Sequence, residues 1–145
     1  MNKLFFLLLA FLFSGMLLAQ DEHSKDLIND LNAVGSQNLD TVKAPATLDN
    51  IYNRPIFSDD LASSFVIFVK KEVKEHKHET HSEQVIVLDG TAVMKVDGRS
   101  FKIKKGDIIY IPKNTWHYVK TTSKVPLKVL SVQAPNFDGK DRVFK

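Results

Sequence analysis

The stretch TAVMKVDGRSFKIKKGD, residues 91 to 107, constrains the fold more than any other part of the chain. Its Asp97-Gly98 pair is a two-residue turn of the kind that matches the twist of paired antiparallel strands. The turn sets the register, which places apolar side chains on one face of the hairpin and three lysines on the other. The predicted cross-strand pairs are Val96 with Arg99, Met94 with Phe101 and Ala92 with Ile103, and the lysines are Lys95, Lys102 and Lys104. The hairpin therefore predicts a sheet with one buried face.

Short strands separated by turns continue over the chain from Ile51 onward. The predicted strands, besides the hairpin, are residues 63–69, 83–88, 107–111, 117–121 and 126–133. Many short strands without long helices between them indicate a closed antiparallel sandwich or barrel. A chain of 145 residues is the usual size of one domain and can bury a core of its own. We expect an all-β barrel over residues 51–145.

The N-terminus, MNKLFFLLLAFLFSGMLLAQDE, is typical of a secretory signal peptide over residues 1–19. Lys3 precedes an apolar run from Leu4 to Leu18 that ends at the small residue Ala19. At ~1.5 Å per residue this run is shorter than the ~30 Å hydrocarbon core, which disfavours a stable membrane span. The expectation is export to the periplasm or secretion, with an uncleaved anchor as the alternative. The chain contains no cysteine, so disulfides and thiolate ligands are excluded.

Residues 20–50 separate the signal peptide from the strands. SKDLINDLNAVG predicts one short amphipathic helix, with Ser24 as N-cap, Gly35 as the stop and apolar positions at Leu27, Ile28, Leu31 and Val34. Residues 36–50 are polar and rich in turn formers, and they predict a linker or a strap over the domain.

The net charge of +3 is too small to indicate a partner. Lysines between residues 95 and 128 are scattered among strand residues rather than clustered with aromatic ones. This pattern is typical of a solvated barrel exterior, and we predict no nucleic-acid partner.

Three of the five histidines lie in HKHETHSEQV, residues 76–85. His76 and His78 are two positions apart on a predicted strand, so their side chains share a face. Glu83 begins the next strand after a turn and can join them there. Imidazole and carboxylate ligands suit a divalent transition metal. Taken alone, the pattern also fits surface or hydrogen-bonded histidines.

A further histidine, His117, follows a tight turn in a second segment, GDIIYIPKNTWH, residues 106–117. Pro112 fixes the first part of that turn, and Asn114 tolerates the left-handed backbone that such turns require. The turn can aim His117 toward the first pair, or the histidine can simply begin a strand.

Together the two segments resemble the paired motifs of the cupin superfamily. The first motif falls on His76, His78, Glu83 and Gly90, and the second on Gly106, Pro112 and His117. Three positions depart from the family pattern, with Lys70 and Asn114 in place of glycines and Thr121 in place of an asparagine. The resemblance implies a double-stranded β-helix, or cupin jelly-roll barrel, here preceded by a short N-terminal helix.

The resemblance also implies one divalent transition metal per chain, held by His76, His78, Glu83 and His117. The ligand types do not select among manganese, iron, zinc, copper and nickel. Glu83 could also leave the metal and act as a catalytic base, as relatives suggest. His81 is expected in the loop between the ligand strands, exposed to solvent, with a place at the pocket rim or as an alternative ligand left open.

Three functions fit these residues. The first is a metalloenzyme, of dioxygenase type or an isomerase or lyase, that acts on a small oxygenated metabolite. The second is a non-catalytic module that binds or senses a small ligand or metal, and the third is a structural barrel with a vestigial site. Fold alone does not decide among them.

Apolar residues are also predicted on outward faces, notably Ile86 and Leu88. Large exposed apolar patches are uncommon on soluble monomers, so either the N-terminal segment or a second subunit covers this surface. We predict a homodimer.

Overall fold

The computed structural model describes residues 35–137 and 139–145. The predicted signal peptide, and the predicted helix before Gly35, lie outside the described residues. Within them, the only helix is a single 3₁₀ turn, Leu39–Thr41. No helix of the described part is long and apolar enough to cross a membrane.

Ten strands form two five-stranded antiparallel sheets. The first sheet has the order β1 (Ile51–Ser58), β2 (Ser63–Val69), β9 (Leu127–Ala134), β4 (Ser82–Asp89) and β7 (Ile108–Ile111). The second has the order β10 (Val143–Phe144), β3 (Glu72–Lys77), β8 (His117–Thr121), β5 (Thr91–Val96) and β6 (Arg99–Lys104). The prediction of an all-β double-stranded β-helix is confirmed.

The β5–β6 hairpin has the register that its turn predicts. Val96 pairs with Arg99 and Ala92 with Ile103. Asp97 and Gly98 have φ angles of 49° and 77°, which is the left-handed backbone that this two-residue turn requires. Ala92, Met94 and Ile103 are buried, so this part of the apolar face lies against the core, whereas Phe101 is 39% exposed.

The main core lies between the two sheets. It is formed by the inward side chains of both, because alternate residues of a strand point to opposite faces. Its buried members are Val69, Val85, Val87, Ala92, Met94, Ile103, Ile109, Ile111, Leu127 and Val129. This apolar packing holds the strands that carry the histidines.

A second cluster lies on the outer face of the first sheet. The segment before β1, residues 39–48, packs Val42 and Leu48 against Val66 and Phe68 of β2. Lys128 of β9 is 8% exposed, and its ammonium donates to the carbonyl oxygens of Leu39 at 2.6 Å and Val42 at 2.9 Å. Residues 39–48 therefore form a strap over the sheet. We call the strap, together with Val66, Phe68 and Lys128, the strap cluster.

The three departures from the family motif are each accommodated. Lys70 lies in the turn after β2 with a negative φ, so a glycine is not needed there. Asn114 has a φ of 60° and takes the left-handed position in the turn before β8. The Thr121 hydroxyl donates to the carbonyl oxygen of Val69 at 2.7 Å. Gly90, which keeps the family residue, has no room for a side chain, because a Cβ would lie 3.0 Å from the backbone of Leu127.

Candidate metal centre

Strands β3 and β8 bring together histidines that are far apart in the sequence. His76 on β3 pairs directly with His117, the first residue of β8. The register shifts between Val73 and His76, so β3 carries one extra residue, a β-bulge, just before the first histidine. Bulges of this kind turn a side chain out of the regular pleat and are frequent beside functional sites. His78 follows two residues later, directly after the end of β3.

The three imidazoles converge between the sheets. Each of His76, His78 and His117 offers a ligand atom within 4.8 Å of those of the other two. The ring centroid of His76 lies 4.1 Å from that of His117 and 5.2 Å from that of His78. All three side chains are buried, with at most 5% of their surface exposed. The predicted convergence is therefore present in the structure.

Backbone carbonyls fix the orientation of all three rings. The Nδ1 atoms of His76, His78 and His117 contact the carbonyl oxygens of Lys74 at 2.8 Å, Asp141 at 2.5 Å and Thr115 at 2.9 Å. A carbonyl can only accept, so the proton is assigned to Nδ1 and the lone pair to Nε2. This is the arrangement that metal-binding histidines commonly show. The Nε2 atoms of His78 and His117 are buried without a hydrogen-bond partner.

Glu83 lies on β4 of the other sheet and faces the histidines. Its Oε2 is 3.5 Å from Nε2 of His117 and 3.9 Å from Nε2 of His78. Its Oε1 accepts a hydrogen bond from the Ser131 hydroxyl at 2.5 Å and a longer one from Gln133 at 3.4 Å. Burial raises the pKa of Glu83, but the close approach of His117 and the hydrogen bond from Ser131 outweigh burial and hold the pKa at about 2. The carboxylate is therefore ionised at neutral pH.

Two of the histidines, His76 and His78, have pKa values below the ordinary value. Burial and the neighbouring His117 lower the pKa of His76, the hydrogen bond with the Lys74 carbonyl raises it, and the net value is about 4. Burial also lowers the pKa of His78. Neutral imidazoles and an ionised carboxylate are the protonation states in which these side chains bind a metal. The residues present thus fit a divalent ion, and the unpartnered Nε2 atoms are where it would bind.

His81 does not lie where the sequence analysis expected it. The side chain is 2% exposed rather than open to solvent. Its Nδ1 lies 2.6 Å from a carboxylate oxygen of Asp141, and its ring stacks on His78 with the centroids 4.4 Å apart. His81 lies between β3 and β4 as predicted, but Asp141 and Phe137 pack against its ring and bury this side chain, whereas Glu79 and Thr80 stay exposed. His78, His81 and Asp141 also form a second group whose ligand atoms lie within 4.8 Å of one another.

A small cavity opens beside the histidines. Its volume is about 90 Å³, and its walls are mostly apolar. Its polar and charged lining residues are Asn53, His76, His78, Glu83, His117, Tyr118 and Arg142. Pockets for drug-sized ligands begin at roughly 300 Å³, so this cavity admits a ligand of few atoms or one end of a larger one.

Sequence reasoning missed four residues of this region: Ser131, Gln133, Asp141 and Arg142. For the first two a signal was available, because β9 places them on the same inward face as Leu127 and Val129, where polar residues are unusual. Asp141 and Arg142 lie more than fifty residues after Glu83 in a polar tail without periodicity. No local pattern links them to the histidines.

Comparison with known proteins agrees with this architecture. Residues 65–133 match the family model described as the cupin domain, Cupin_2. An uncharacterized protein of Methanocaldococcus jannaschii is 41% identical over 66 residues, which are 46% of this chain and 53% of that protein. An uncharacterized protein of Aquifex aeolicus is 35% identical over 81 residues, 56% of this chain and 66% of that protein. The chain therefore spans less than two thirds of the length of each.

Among solved structures, a protein with a double-stranded β-helix domain from Klebsiella pneumoniae is similar in fold. It superposes with a TM-score of 0.66 at 18% identity and covers 77% of this chain and 97% of its own. At that identity the likeness concerns the fold alone. Residues 65–133, just under half of the chain, thus match the cupin domain model, and the fold is a double-stranded β-helix.

Proposed function

We propose that this cupin barrel binds one divalent transition metal through His76, His78, Glu83 and His117, and uses it as an enzyme on a small oxygenated metabolite. One observation supports the proposal above the others. Three buried imidazole nitrogens, on His78, His81 and His117, have no hydrogen-bond partner, and two of them belong to proposed ligands. A buried polar atom without a partner costs about 1–3 kcal/mol, and a bound cation would remove that cost.

The donor set determines what the site can do. Three neutral imidazoles and one carboxylate leave a divalent ion with a net charge of +1. Once bound, such an ion supplies Lewis-acid or redox chemistry. The apolar walls of the cavity exclude water, and exclusion of water strengthens electrostatic interactions between the site and a ligand.

Glu83 is assigned first as a ligand and second as a proton acceptor. A general base works best when its pKa lies near the operating pH, and a pKa of about 2 makes this carboxylate a weak base. Ser131 and Gln133 hold Oε1, which leaves Oε2 directed at the histidines. Movement of the carboxylate away from the metal would have to break the Ser131 hydrogen bond.

The reaction belongs to one of two types in this proposal, a dioxygenase-type oxidation or an isomerisation or lyase reaction. Oxygen uptake separates them. Protein purified from its native host would be analysed for metal, then incubated in an oxygen electrode with catechols, flavonols and small oxo-acids. Uptake with any of them supports the oxidative type, and turnover without uptake supports the other. Protein that carries no metal and acquires none would refute the proposed function.

One observation favours a second candidate, a non-catalytic module that binds a small ligand. Apart from the proposed ligands, the described residues that line the cavity include one side chain with acid–base chemistry near neutral or basic pH, Tyr118. Its hydroxyl donates to Glu72 at 2.8 Å, and burial raises its pKa above the ordinary value. Saturable binding of a metabolite without turnover would support this candidate.

Export is proposed from the N-terminal sequence. Expression of the full chain in a Gram-negative host, followed by N-terminal sequencing of the soluble product, tests it. The expected product begins after Ala19 and is found in the periplasm. Intact protein that begins at Met1 in the cytosol would contradict export.

We also propose a homodimer. The strap covers the outer face at β2 and β9, but Ile108 and Tyr110 on β7 remain 65% and 60% exposed. Ile86 of β4 pairs with Ile108 and extends this apolar face. A second subunit would bury it. Light scattering that shows a monomer over a wide concentration range would refute the dimer.

A further inference from the structure

The C-terminal tail, residues 139–145, is fastened to the metal centre on both sides of Arg142. On one side, the Asp141 carboxylate accepts hydrogen bonds from the backbone amides of Glu79 and Thr80, both at 2.8 Å, and from the Thr80 hydroxyl at 2.6 Å. On the other side, Val143 and Phe144 pair with β3 as strand β10. The backbone of Arg142 is therefore held in place, although the residue itself is exposed.

Arg142 reaches the cavity that the proposed metal ligands line. Among the described residues of the lining, Glu83 and Arg142 carry the formal charges, apart from the histidines. The guanidinium lies 5.6 Å from the ring centroid of Phe137, whose ring in turn contacts His78 and His81. Stacking on an aromatic face leaves the N–H edge of a guanidinium free to bind an anion.

The guanidinium has no acidic partner within the part of the chain that the structure describes. Its side chain forms no ion pair and no hydrogen bond with residues 35–137 or 139–145. The acidic group nearest in sequence, Asp141, uses its carboxylate on Glu79, Thr80 and His81. A fixed cation at a cavity, with its hydrogen-bond donors unused, is suited to a ligand that brings the anion.

We propose that Arg142 determines specificity by binding the carboxylate of a small substrate, a 2-hydroxy or 2-oxo acid, whose other oxygen reaches the metal centre. This inference rests on the proposed function, because it assigns the substrate class of the same site. Charge supports it, since the metal-loaded site has a net charge of +1, Arg142 carries another positive charge, and both favour an anion. Size supports it too, because a cavity of about 90 Å³ accepts only a few heavy atoms.

The test compares a charged and a neutral probe of the same shape. Glycolate and glycolamide would be titrated calorimetrically into metal-loaded wild-type protein, Arg142→Gln and Arg142→Lys. Arg99→Gln is the matched control, because Arg99 is an exposed arginine on the β5–β6 hairpin and does not line the cavity. Metal content and the thermal midpoint of each variant are measured first, so that a folding or loading defect is seen separately.

Wild-type protein is expected to bind glycolate at least tenfold more tightly than glycolamide. Arg142→Gln should weaken glycolate binding by about ten- to hundredfold, the usual contribution of charge-assisted hydrogen bonds, and leave glycolamide unchanged. Arg142→Lys should fall between, because it keeps the charge and loses the planar fork. Arg99→Gln should behave as wild type.

Three results would overturn the inference while the proposed function stands. The first is that metal-loaded wild-type protein binds glycolate and glycolamide equally well, and the second is that Arg142→Gln binds glycolate as tightly as wild type does. The third is that inorganic phosphate binds in an Arg142-dependent way and more tightly than glycolate, pyruvate or oxalate. Failure to load metal would instead refute the proposed function, because the metal analysis is independent of any probe.

Discussion

Strand β9 contributes to two buried sites that differ in one respect. On its outer face, Lys128 enters the strap cluster, where its ammonium donates to two strap carbonyls. On its inner face, Ser131 and Gln133 support Glu83 beside the histidines. Both sites bury polar side chains from the same strand. Among the described residues, only the inner site keeps buried polar side-chain atoms without partners, which are the Nε2 atoms of His78, His81 and His117 and Oε1 of Gln133.

The difference separates a polar group that serves stability from one that serves binding. Buried polar groups in native proteins are almost always hydrogen-bonded, and each exception needs an explanation. At Lys128 the partners are supplied by the chain itself, so the interaction is complete. At the histidines the chain supplies partners for Nδ1 only, which indicates that something outside the chain completes the site.

The comparison is tested most directly by replacing a histidine whose Nε2 has no hydrogen-bond partner. His117→Ala should abolish stoichiometric metal retention, with affinity reduced by at least about 100-fold, because loss of a ligand exceeds the 10- to 100-fold cost of losing a supporting residue. Metal bound after gel filtration, measured by elemental analysis, checks this. Lys128→Met is the control and should retain metal as wild type does. Full retention by His117→Ala would mean that this histidine is not a ligand.

The second prediction concerns how the stability of the metal-free protein depends on pH. The pKa of His76 is about 4 in the folded state and 6.5 ordinarily, so the folded state binds fewer protons between these values. Stability should therefore fall as pH is lowered from 6.5 to 4, by up to about 3 kcal/mol. Glu83, whose pKa is held at about 2 instead of 4.5, stabilises the fold above pH 4.5 and loses that contribution between pH 4.5 and 2.

Urea unfolding of chelator-treated protein at pH 7, 5.5 and 4.5 measures this dependence. Lys128→Met should show the same slope with pH, because the Lys128 ammonium contacts the strap carbonyls and not His76 or Glu83. Stability that does not change between pH 6.5 and 4.5 would contradict the neutral, buried state of His76.

The third prediction concerns whether His81 belongs to the metal site. His81→Ala should still bind one metal at saturation, since His81 does not line the cavity, but with affinity reduced by about tenfold because His78 loses the ring stacked on it. Metal titration monitored by calorimetry gives both the stoichiometry and the affinity. If this variant loses the metal while His76→Ala keeps it, the ligand assignment is wrong and the group of His78, His81 and Asp141 becomes the candidate site.

The smallest expected effect belongs to the strap cluster. Lys128→Met keeps most of the apolar stem and removes the two hydrogen bonds to the strap, so the free energy of unfolding should fall by about 1 kcal/mol. Chemical denaturation measures this loss, and metal affinity should not change. A large loss of metal affinity in this variant would show that the two faces of β9 are coupled.

Much of the fold and of the histidine cluster could be predicted because the signals are local. The Asp97-Gly98 turn fixes a register by itself, and a two-residue period is enough to place His76 and His78 on one face. The buried state of His81 could not be predicted, because its partner Asp141 lies sixty residues away and no periodicity connects them. The bulge before His76 also has no signal in the sequence, since it depends on how β3 meets β8.

The tail also gives the site an order of assembly during synthesis. Translation proceeds from the N-terminus, so His76, His78, Glu83 and His117 leave the ribosome before Asp141 and Arg142. A nascent chain can therefore possess every proposed ligand while His78 still lacks the carbonyl that orients it and the loop at Thr80 lacks its anchor. Synthesis from the N-terminus thus separates the appearance of the proposed ligands from the closing of the site around them. If Arg142 binds the substrate carboxylate as proposed, the barrel becomes selective only after the tail has docked.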